Sequence, residues 1–263
     1  MHKLITIACL FLSLAARAES PVSPPADVAE QPVTLFLAGD STIAEKLASK
    51  RPETGWGEYL GVQFLPGKVV VDNRARNGRS TRTFIEEGRW QALIDYIRPG
   101  DYVFIQFGHN DGSVQKKDRY TPPADYRRNL ERFVADVHAR KATPILLTPV
   151  ARRKFDDGQL LPSHGEYPQI VRAIAREQNV ALIDLLARSE TILRTAGDDG
   201  SKPMFLWLAP GEHPNYPAGL EDNTHFSPIG AQRMAEAVAD GLRQLDLPLS
   251  AALQPEAGGM PPK

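Results

Sequence analysis

Cysteine is almost absent from this sequence of 263 residues, since Cys9 is the only one. It lies in a segment with a positive start at Lys3, the apolar run LITIACLFLSLAA and the small-residue signal Ala16-Arg17-Ala18. These are the three parts of a secretory signal peptide, which we expect to span residues 1–18 and to be cleaved off. The mature chain then has no disulfide and no cysteine nucleophile, so a packed core has to stabilise it.

An excess of charge of either sign is also missing. The chain holds 31 lysine and arginine residues against 32 aspartate and glutamate residues, a formal net charge of −1. Nucleic acids and anionic membrane surfaces are bound mainly through clustered basic residues, so we expect neither as a partner. The apolar run of the leader is shorter than the roughly 20 residues of a membrane-spanning helix. We therefore expect a secreted or periplasmic protein that is a monomer.

Regular patterning is confined to the middle of the chain. Residues 19–32 are rich in proline and have no period, which is typical of a linker. The chain ends in SAALQPEAGGMPPK, and we expect a flexible tail over residues 248–263. A single domain is therefore expected over residues 33–247.

Five apolar runs within this domain alternate with amphipathic segments. The runs are VTLFLAG (33–39), KVVVDNRA (68–75), DYVFIQFG (101–108), ATPILLTPV (142–150) and NVALIDL (179–185). Consecutive positions are apolar, as in strands that are buried on both faces. Residues 83–97, 125–140 and 165–178 have apolar side chains at helical spacing. The pattern predicts an α/β fold with one five-stranded parallel sheet and helices on both faces, which binds ligands at the carboxyl ends of its strands.

Ser41 follows the first of these strands, in the stretch FLAGDSTIAE. Asp40 and Ser41 are both favoured helix N-caps, so a structural role alone explains them. Ser41 is equally well placed as a nucleophile, because the N–H groups of a helix start can face a developing oxyanion. This stretch by itself does not decide between the two interpretations.

Three further stretches supply what a bare serine lacks. Gly78 lies in a turn after the second strand, where a backbone N–H can approach a ligand closely. Asn110 follows the third strand and offers a side-chain amide donor. Asp222 and His225 precede a helix that starts at Ser227-Pro228, and we expect them in a fixed loop.

These residues are suited to serine hydrolysis. A serine hydroxyl is a poor nucleophile at neutral pH and needs a base, which the His225 imidazole can be. Asp222 can accept a hydrogen bond from the other imidazole nitrogen and so fix its tautomer. The Ser41 and Gly78 N–H groups and the Asn110 amide can stabilise the oxyanion, each donor contributing about 3–4 kcal/mol.

Four stretches in chain order also carry a family resemblance. Gly39-Asp40-Ser41, Gly78, Gly108-His109-Asn110-Asp111 and Asp222-x-x-His225 match the four motif blocks of the SGNH (GDSL-type) hydrolases. Within that superfamily GDST, NRARNGRSTRTF, QFGHND and EDNTHFSPIGA are similar to the rhamnogalacturonan acetylesterase group. Thr42 replaces the leucine of the lipase-like consensus, which favours that group over a lipase.

The resemblance implies a three-layer αβα flavodoxin-like sandwich. It also implies removal of acetyl groups from pectic polysaccharide without a metal. It assigns Ser41 as nucleophile, His225 as base and Asp222 as its orienting carboxylate. The oxyanion hole is then formed by the Ser41 amide, Gly78 and Asn110.

Several other residues have two possible roles. Arg76 and Arg79 flank Gly78 and can meet galacturonate carboxylates, or can be solvated loop residues. Trp207 and Tyr216 lie in a long segment, 197–225, that we expect to be a loop forming a wall of the substrate groove. Their rings can stack on sugars or can pin the loop to the domain.

The motif residues His109 and Asp111 are also ambiguous. His109 can line the pocket or be a structural histidine, while Asp111 is expected to hold its loop through bonds to the backbone. The histidines do not show a metal-ligand spacing, so we expect no metal and no other cofactor.

The sequence therefore predicts a secreted serine acetylesterase that acts on acetylated polysaccharide through an acetyl-enzyme. The alternatives are an acetylxylan or broad small-ester deacetylase and, in a different class, an inactive carbohydrate-binding protein on the same fold. Nucleotide binding is disfavoured because a Gly-rich phosphate-binding loop is missing after the first strand.

Overall fold

The strands of residues 31–255, which this computed structural model describes, form one large and two small sheets. In chain order the strands are β1 Val33–Gly39, β2 Val69–Asn73, β3 Tyr102–Gln106, β4 Thr143–Leu147, β5 Phe155–Asp156, β6 Gln159–Leu160, β7 Ala181–Ile183, β8 Phe205–Leu208 and β9 Leu220–Phe226. The large sheet has the order β2-β1-β3-β4-β7, and all of its pairings are parallel. The expected α/β fold with a five-stranded parallel sheet is confirmed.

Helices cover both faces of this sheet. They are α1 Thr81–Glu86, α2 Arg89–Ile94, α3 Pro123–Ala139, α4 Tyr167–Glu177, α5 Leu185–Ser201 and α6 Pro228–Arg243. Short 3₁₀ helices lie at Ala48–Lys50, Trp56–Tyr59, Gly61–Gln63, Lys202–Met204 and Pro248–Ala252. Within residues 31–255, no helix has the length and apolar character needed to cross a bilayer.

Strand β1 shows why both faces are covered. Leu35 and Leu37 belong to the core cluster on the side of α5 and α6, whereas Phe36 and Ala38 belong to the cluster on the side of α1 to α4. Alternate residues of a strand point to opposite faces, so an uninterrupted apolar run requires a layer on each side. The two cores therefore follow directly from the sequence of this strand.

The order of the strands reverses next to β1. The chain passes from β1 to β2 on one side and then to β3 on the other, with Gly39 of β1 in register with Gln106 of β3. A crevice opens outside the carboxyl ends of the strands at such a switch point. The loops that carry Ser41, Gly78 and Asn110 all leave the sheet at this edge.

The helical segment expected at residues 83–97 is interrupted. Helices α1 and α2 are separate because Gly88 has φ +68° and serves as the N-cap of α2. Glycine reaches this left-handed conformation without a steric penalty, so the chain changes direction there.

The prediction of a loop at residues 197–225 is also wrong over most of its length. Strands β8 and β9 form an antiparallel hairpin that pairs Leu206 with Asp222 and Trp207 with Glu221. Asp222 and His225 are therefore held on β9, not in a loop. Phe205 and Phe226, at the base of the hairpin, are buried and anchor it to the domain.

The prediction of a flexible tail is wrong for residues 248–253. Pro248–Ala252 is a 3₁₀ helix whose Leu249 is buried, and the buried Leu253 forms a β-bridge with Phe64. The domain thus extends at least to Leu253, because these apolar side chains are part of its core. The expected signal peptide, residues 19–30 of the expected linker and residues 256–263 lie outside the described residues.

Candidate active site

The turn after β1 presents Ser41 without a helix. The backbone N–H groups of Ile43 and Ala44 donate to the carbonyl of Asp40, and the chain then leaves the turn. One carboxylate oxygen of Asp40 accepts bonds from the backbone N–H and the hydroxyl of Thr42, at 2.9 and 2.8 Å. The expected helix start at Ser41 is therefore wrong, since the side chain of Asp40 closes a local turn instead. A helix dipole does not contribute at this position.

The structure brings Ser41, His225 and Asp222 into one hydrogen-bonded series. Ser41 Oγ lies 3.0 Å from Nε2 of His225, and Nδ1 of His225 lies 2.7 Å from Oδ2 of Asp222. Ser41 is 184 positions from His225 along the chain, so only the folded domain can make this contact. A neutral imidazole that donates its Nδ1–H to Asp222 leaves Nε2 free to accept the serine proton.

Asp222 is fixed by the backbone of its own strand. Its Oδ1 accepts the backbone N–H groups of Thr224 at 2.6 Å and of His225 at 3.0 Å. Burial alone raises the pKa of Asp222, but the bonds and charge of His225 and the Thr224 N–H outweigh it and lower the pKa to about 2. Asp222 therefore stays ionised and keeps the imidazole in one orientation near neutral pH.

The three predicted oxyanion donors lie on loops at the same edge of the sheet. Gly78 has φ +75°, which favours glycine, and neither its N–H nor that of Ser41 has an acceptor among residues 31–255. The Asn110 amide donates to the carbonyl of Arg79 at 2.9 Å. That bond orients the amide and leaves its second hydrogen available. The geometry is thus compatible with the predicted hole.

A buried lysine that the sequence analysis missed ties two of these loops together. Lys46 is 4 % exposed, and its ammonium group donates to the Ser41 carbonyl and, at 2.8 Å, to Asn77 Oδ1. It also pairs with Glu53 Oε1 at 2.9 Å. Asn77 immediately precedes Gly78, so Lys46 fixes the turn of Ser41, the predicted nucleophile, against the loop of Gly78, a predicted oxyanion donor.

Glu53 brings a second carboxylate close to His225. Its Oε1 lies 4.0 Å from His225 Nε2, on the nitrogen that faces Ser41. Glu53 belongs to the stretch PETGWG, whose glycines approach the turn closely: a Cβ on Gly55 would lie 2.2 Å from the Ala44 carbonyl oxygen. The glycines on either side of Trp56 are the sequence signal for this close approach. Lys46 and Glu53 gave no such signal, because neither belongs to a periodic pattern.

His109 and Asp111 lie behind the triad. His109 is 4 % exposed, with Nδ1 3.4 Å from Asp40 Oδ2, so it faces the buried carboxylate next to the nucleophile. Asp111 accepts the backbone N–H and the hydroxyl of Thr81, at 2.9 and 2.6 Å. Because Thr81 begins α1, Asp111 holds this helix start, in agreement with its expected structural role.

The arginines around Gly78 differ in their surroundings. Both Nε and Nη2 of Arg79 contact Glu87, at 3.0 and 2.8 Å, so this guanidinium is already paired within the protein. Arg76 is exposed, and its side chain has no hydrogen bond or ion pair to the described part of the chain. Of the two, Arg76 is the one that is free to meet a substrate.

The two predicted aromatic residues, Trp207 and Tyr216, have different partners. The Trp207 indole donates to Asn223 Oδ1 at 2.9 Å, and its ring lies 4.9 Å from the Arg153 guanidinium and 4.7 Å from the Lys202 ammonium. Tyr216 donates to the Lys50 carbonyl at 3.0 Å and joins the β8–β9 connection to the 3₁₀ helix Ala48–Lys50. Both anchor the hairpin, so a packing role is observed for each.

The chain matches a known family over most of the domain. Residues 37–233 fit the model of the GDSL-like Lipase/Acylhydrolase family. This range includes Ser41, Asp222 and His225.

Two relatives from Bacillus subtilis (strain 168) match over almost their whole length. The chain is 44 % identical to "Rhamnogalacturonan acetylesterase RhgT", a match that covers 84 % of this chain and 94 % of that protein. It is 39 % identical to "Probable rhamnogalacturonan acetylesterase YesY", over 83 % of this chain and 96 % of that one.

Solved structures share the fold. The crystal structure of YxiM from Bacillus subtilis superposes with a TM-score of 0.68 at 26 % identity, covering 81 % of this chain. The present chain spans only 56 % of that protein. Axe2, an acetylxylan esterase from Geobacillus stearothermophilus, has a TM-score of 0.60 at 22 % identity, covering 80 % of this chain and 95 % of its own. The recognised family and fold are therefore confirmed.

Replacing Lys46 by methionine should reduce turnover more than substrate binding. The nucleophile turn and the Gly78 loop lose their common anchor, and a displacement of about 1 Å costs up to about 100-fold in rate. We expect kcat for p-nitrophenyl acetate to fall about 10- to 100-fold with a smaller change in KM.

Two further variants separate positioning from stability. The Lys46→Met variant leaves the Glu53 carboxylate without its ammonium partner. The double variant Lys46→Met/Glu53→Gln removes this carboxylate as well and should recover melting temperature without recovering kcat. Lys50→Met is the matched control, because Lys50 is exposed and lies four positions along the chain. Equal kcat in Lys46→Met and Lys50→Met would refute the positioning role.

The buried carboxyl of Asp111 should make stability depend on pH. Burial raises its pKa from 3.8 to about 7, against the opposing bonds from Thr81. Between these values the folded chain holds a proton that the unfolded chain has lost, so the free energy of unfolding falls as pH rises, by at most about 1.4 kcal/mol per pH unit.

Denaturant titrations of the wild type and of Asp111→Asn at several pH values isolate this contribution. Burial lowers the pKa of His109 and His164, so these groups make the free energy of unfolding rise with pH. This contribution is the same in the wild type and the variant, and it cancels in their difference. The stability of the wild type relative to the variant should therefore decline from pH 3.8 towards pH 7 and then level off. A difference that does not change with pH contradicts the prediction.

Proposed function

We propose that this chain, which belongs to the GDSL-like lipase/acylhydrolase family and is thus a carboxylic-ester hydrolase, removes O-acetyl groups from pectic polysaccharide of the rhamnogalacturonan type. The observation that carries the proposal is the contact of Ser41 Oγ with His225 Nε2 at 3.0 Å, with Asp222 on the other ring nitrogen. The substrate is supported by the two relatives named rhamnogalacturonan acetylesterases.

The first half of the proposed reaction acylates the enzyme. Ser41 Oγ attacks the acetyl carbonyl carbon while His225 Nε2 takes the hydroxyl proton, and Asp222 stabilises the imidazolium that forms. The carbonyl oxygen becomes an oxyanion within reach of the Ser41 and Gly78 N–H groups and the Asn110 amide. Collapse of the tetrahedral intermediate breaks the ester C–O bond, and the sugar oxygen leaves with the proton from His225.

The second half releases acetate. A water molecule donates a proton to His225 Nε2 and attacks the acetyl-Ser41 carbonyl through the same oxyanion hole. The second intermediate collapses when Ser41 Oγ takes the proton back, so acetate leaves and the enzyme returns to its starting state. The proton transfers of this mechanism require only Ser41, His225 and Asp222, whose side chains are already in contact.

The surroundings of the triad suit a polar leaving group. A cavity of about 400 Å³ includes Thr224, which lies between Asp222 and His225, and most of its lining side chains are polar or charged. A long acyl chain gains affinity from apolar surface, about 0.8 kcal/mol per buried CH₂. Such a lining favours a sugar over a fatty acyl chain.

We also propose that the protein is exported. The support is the charge, apolar run and small-residue signal of residues 1–18. When the full chain is expressed in a bacterial host, the mature protein should begin at Glu19, as read by mass spectrometry of its N-terminal peptide. Recovery of the protein with residues 1–18 intact in the cytoplasm would overturn the proposal.

A panel of esters tests the proposed activity. The protein should release acetate from acetylated rhamnogalacturonan faster than from acetylated xylan, and should lose activity on p-nitrophenyl esters as the acyl chain lengthens. Faster deacetylation of xylan identifies the acetylxylan alternative, and a preference for octanoate refutes an acetylesterase.

Ser41→Ala is the control for the mechanism. It should abolish turnover, and an acid-quenched wild-type reaction should carry one acetyl group on the peptide that contains Ser41. If neither ester hydrolysis nor an organophosphate adduct on Ser41 is found in the folded wild type, the inactive carbohydrate-binding alternative is correct.

A further inference from the structure

A basic cavity of about 400 Å³ lies beside the triad, between the β4–β5 connection, the end of α5 and the β8–β9 hairpin. Among residues 31–255 its lining has four cationic side chains, those of Arg152, Arg153, Lys154 and Lys202, and one carboxylate, that of Asp198. The remaining lining residues are Phe155, Trp207, Asn223 and Thr224. None of the four cations was singled out by the sequence analysis.

Arg153 is a structural member of this wall. Its guanidinium pairs with Asp198 and bonds to Asn223 Oδ1 at 2.8 Å and to Ser201 Oγ at 3.0 Å. It also lies 4.9 Å from the centre of the Trp207 ring. The Asp198 carboxylate is thus already neutralised, and the Trp207 ring holds cations in place.

Arg152, the neighbouring residue, has no such partner. Its guanidinium is partly buried and donates to Thr224 Oγ1 and, at 3.3 Å, to the His109 carbonyl, both of which are uncharged acceptors. Within residues 31–255 it forms no ion pair. A cation that has lost much of its water without gaining a counter-ion carries a free-energy cost that a bound anion can relieve.

Two lysines add positive charge to the same cavity. Lys154 is exposed, and its side chain has no hydrogen bond or ion pair to the described residues. Lys202 bonds to Asp199 at 2.8 Å and keeps its ammonium group 4.7 Å from the Trp207 ring. Together with Arg152 they give the cavity a net positive lining, which attracts a negatively charged ligand.

The cavity adjoins the reacting atoms through Thr224. This residue lies between Asp222 and His225 on β9, its N–H donates to Asp222 Oδ1 and its hydroxyl accepts from Arg152. Successive strand residues are about 3.3 Å apart, so Thr224 places this wall of the cavity one residue from His225 and two residues from Asp222. The cavity can therefore hold a sugar next to the one that bears the ester.

We infer that this cavity is a subsite for a carboxylate-bearing sugar residue of the substrate, with Arg152 as its anion partner and Lys154 as a second cation. The inference rests on the proposed function and assigns a residue to the recognition of galacturonate within it. Arginine suits this ligand because its planar fork matches both carboxylate oxygens. Arg76, on the opposite side of Gly39, is not part of this cavity.

Inhibition by unacetylated oligogalacturonate tests the subsite with p-nitrophenyl acetate as the reporter substrate. The inhibition constant should rise about 10- to 100-fold in Arg152→Gln, the range expected for a lost charge-assisted bond, and less in Lys154→Gln. Neutral xylo-oligosaccharide should not distinguish these variants from the wild type. Lys141→Gln, which removes the same charge just before β4 at the other end of the sheet, should keep the inhibition constant of the wild type.

Two results would overturn the subsite: no inhibition by oligogalacturonate, or an equal inhibition constant in the wild type, Arg152→Gln and Lys154→Gln. Because Arg152 contacts the β9 strand, the exposed Lys154 keeps the test decisive if Arg152→Gln does not fold. Calorimetric binding of oligogalacturonate to the Ser41→Ala protein gives the same comparison without turnover. Failure of the proposed function would be seen separately, as hydrolysis of p-nitrophenyl acetate without release of acetate from acetylated rhamnogalacturonan.

Discussion

The buried ammonium group of Lys46 is the contact on which the geometry of the candidate site depends. It bonds to the Ser41 carbonyl, to Asn77 and to Glu53, which belong to the turn after β1, the loop after β2 and the segment that packs against that turn. Burial lowers the pKa of Lys46, while the carboxylate of Glu53 opposes that change and favours the charged form. A neutral apolar side chain of similar length cannot bond three oxygens at once, so the loops would move independently.

Other buried charges in this region are balanced in the same local way. Burial raises the pKa of Asp40, but the facing His109 and the two Thr42 donors outweigh it and lower the pKa to about 2. The pKa of Asp222 is lowered to a similar value by its bonds to the backbone of β9 and to His225. Arg152 is the contrast, since burial lowers its pKa and the charges of Asp40 and Asp222 oppose that change. Within residues 31–255 it forms no ion pair, so a bound anion can supply the counter-ion that these residues do not.

The sequence predicted the parallel sheet and the triad because each depends on a local signal. Apolar positions of both parities identified all five sheet strands, and four short motifs identified Ser41, Gly78, Asn110 and the Asp222–His225 pair. The sequence did not predict which of two adjacent arginines is paired. Arg153 pairs with Asp198 at a separation of 45 positions, whereas Arg152 has no carboxylate partner within residues 31–255. This difference arises only when α5 and the hairpin pack together. The 3₁₀ helix at Pro248–Ala252 escaped detection for the same reason, since Leu249 is buried only by tertiary packing.

Strand β9 joins the chemistry of the site to its recognition of a sugar. His225 contacts Ser41 and Asp222 contacts His225, while Asn223 and Thr224 between them line the basic cavity. Thr224 belongs to both, because its N–H donates to Asp222 and its hydroxyl accepts from Arg152. A loop could carry the same four residues, but pairing with β8 fixes their spacing, and the Thr54 N–H donating to the Phe226 carbonyl fixes the end of the strand. A carboxylate bound by Arg152 would therefore rest against the strand that holds His225, and positioning the sugar and orienting the imidazole would depend on one rigid element.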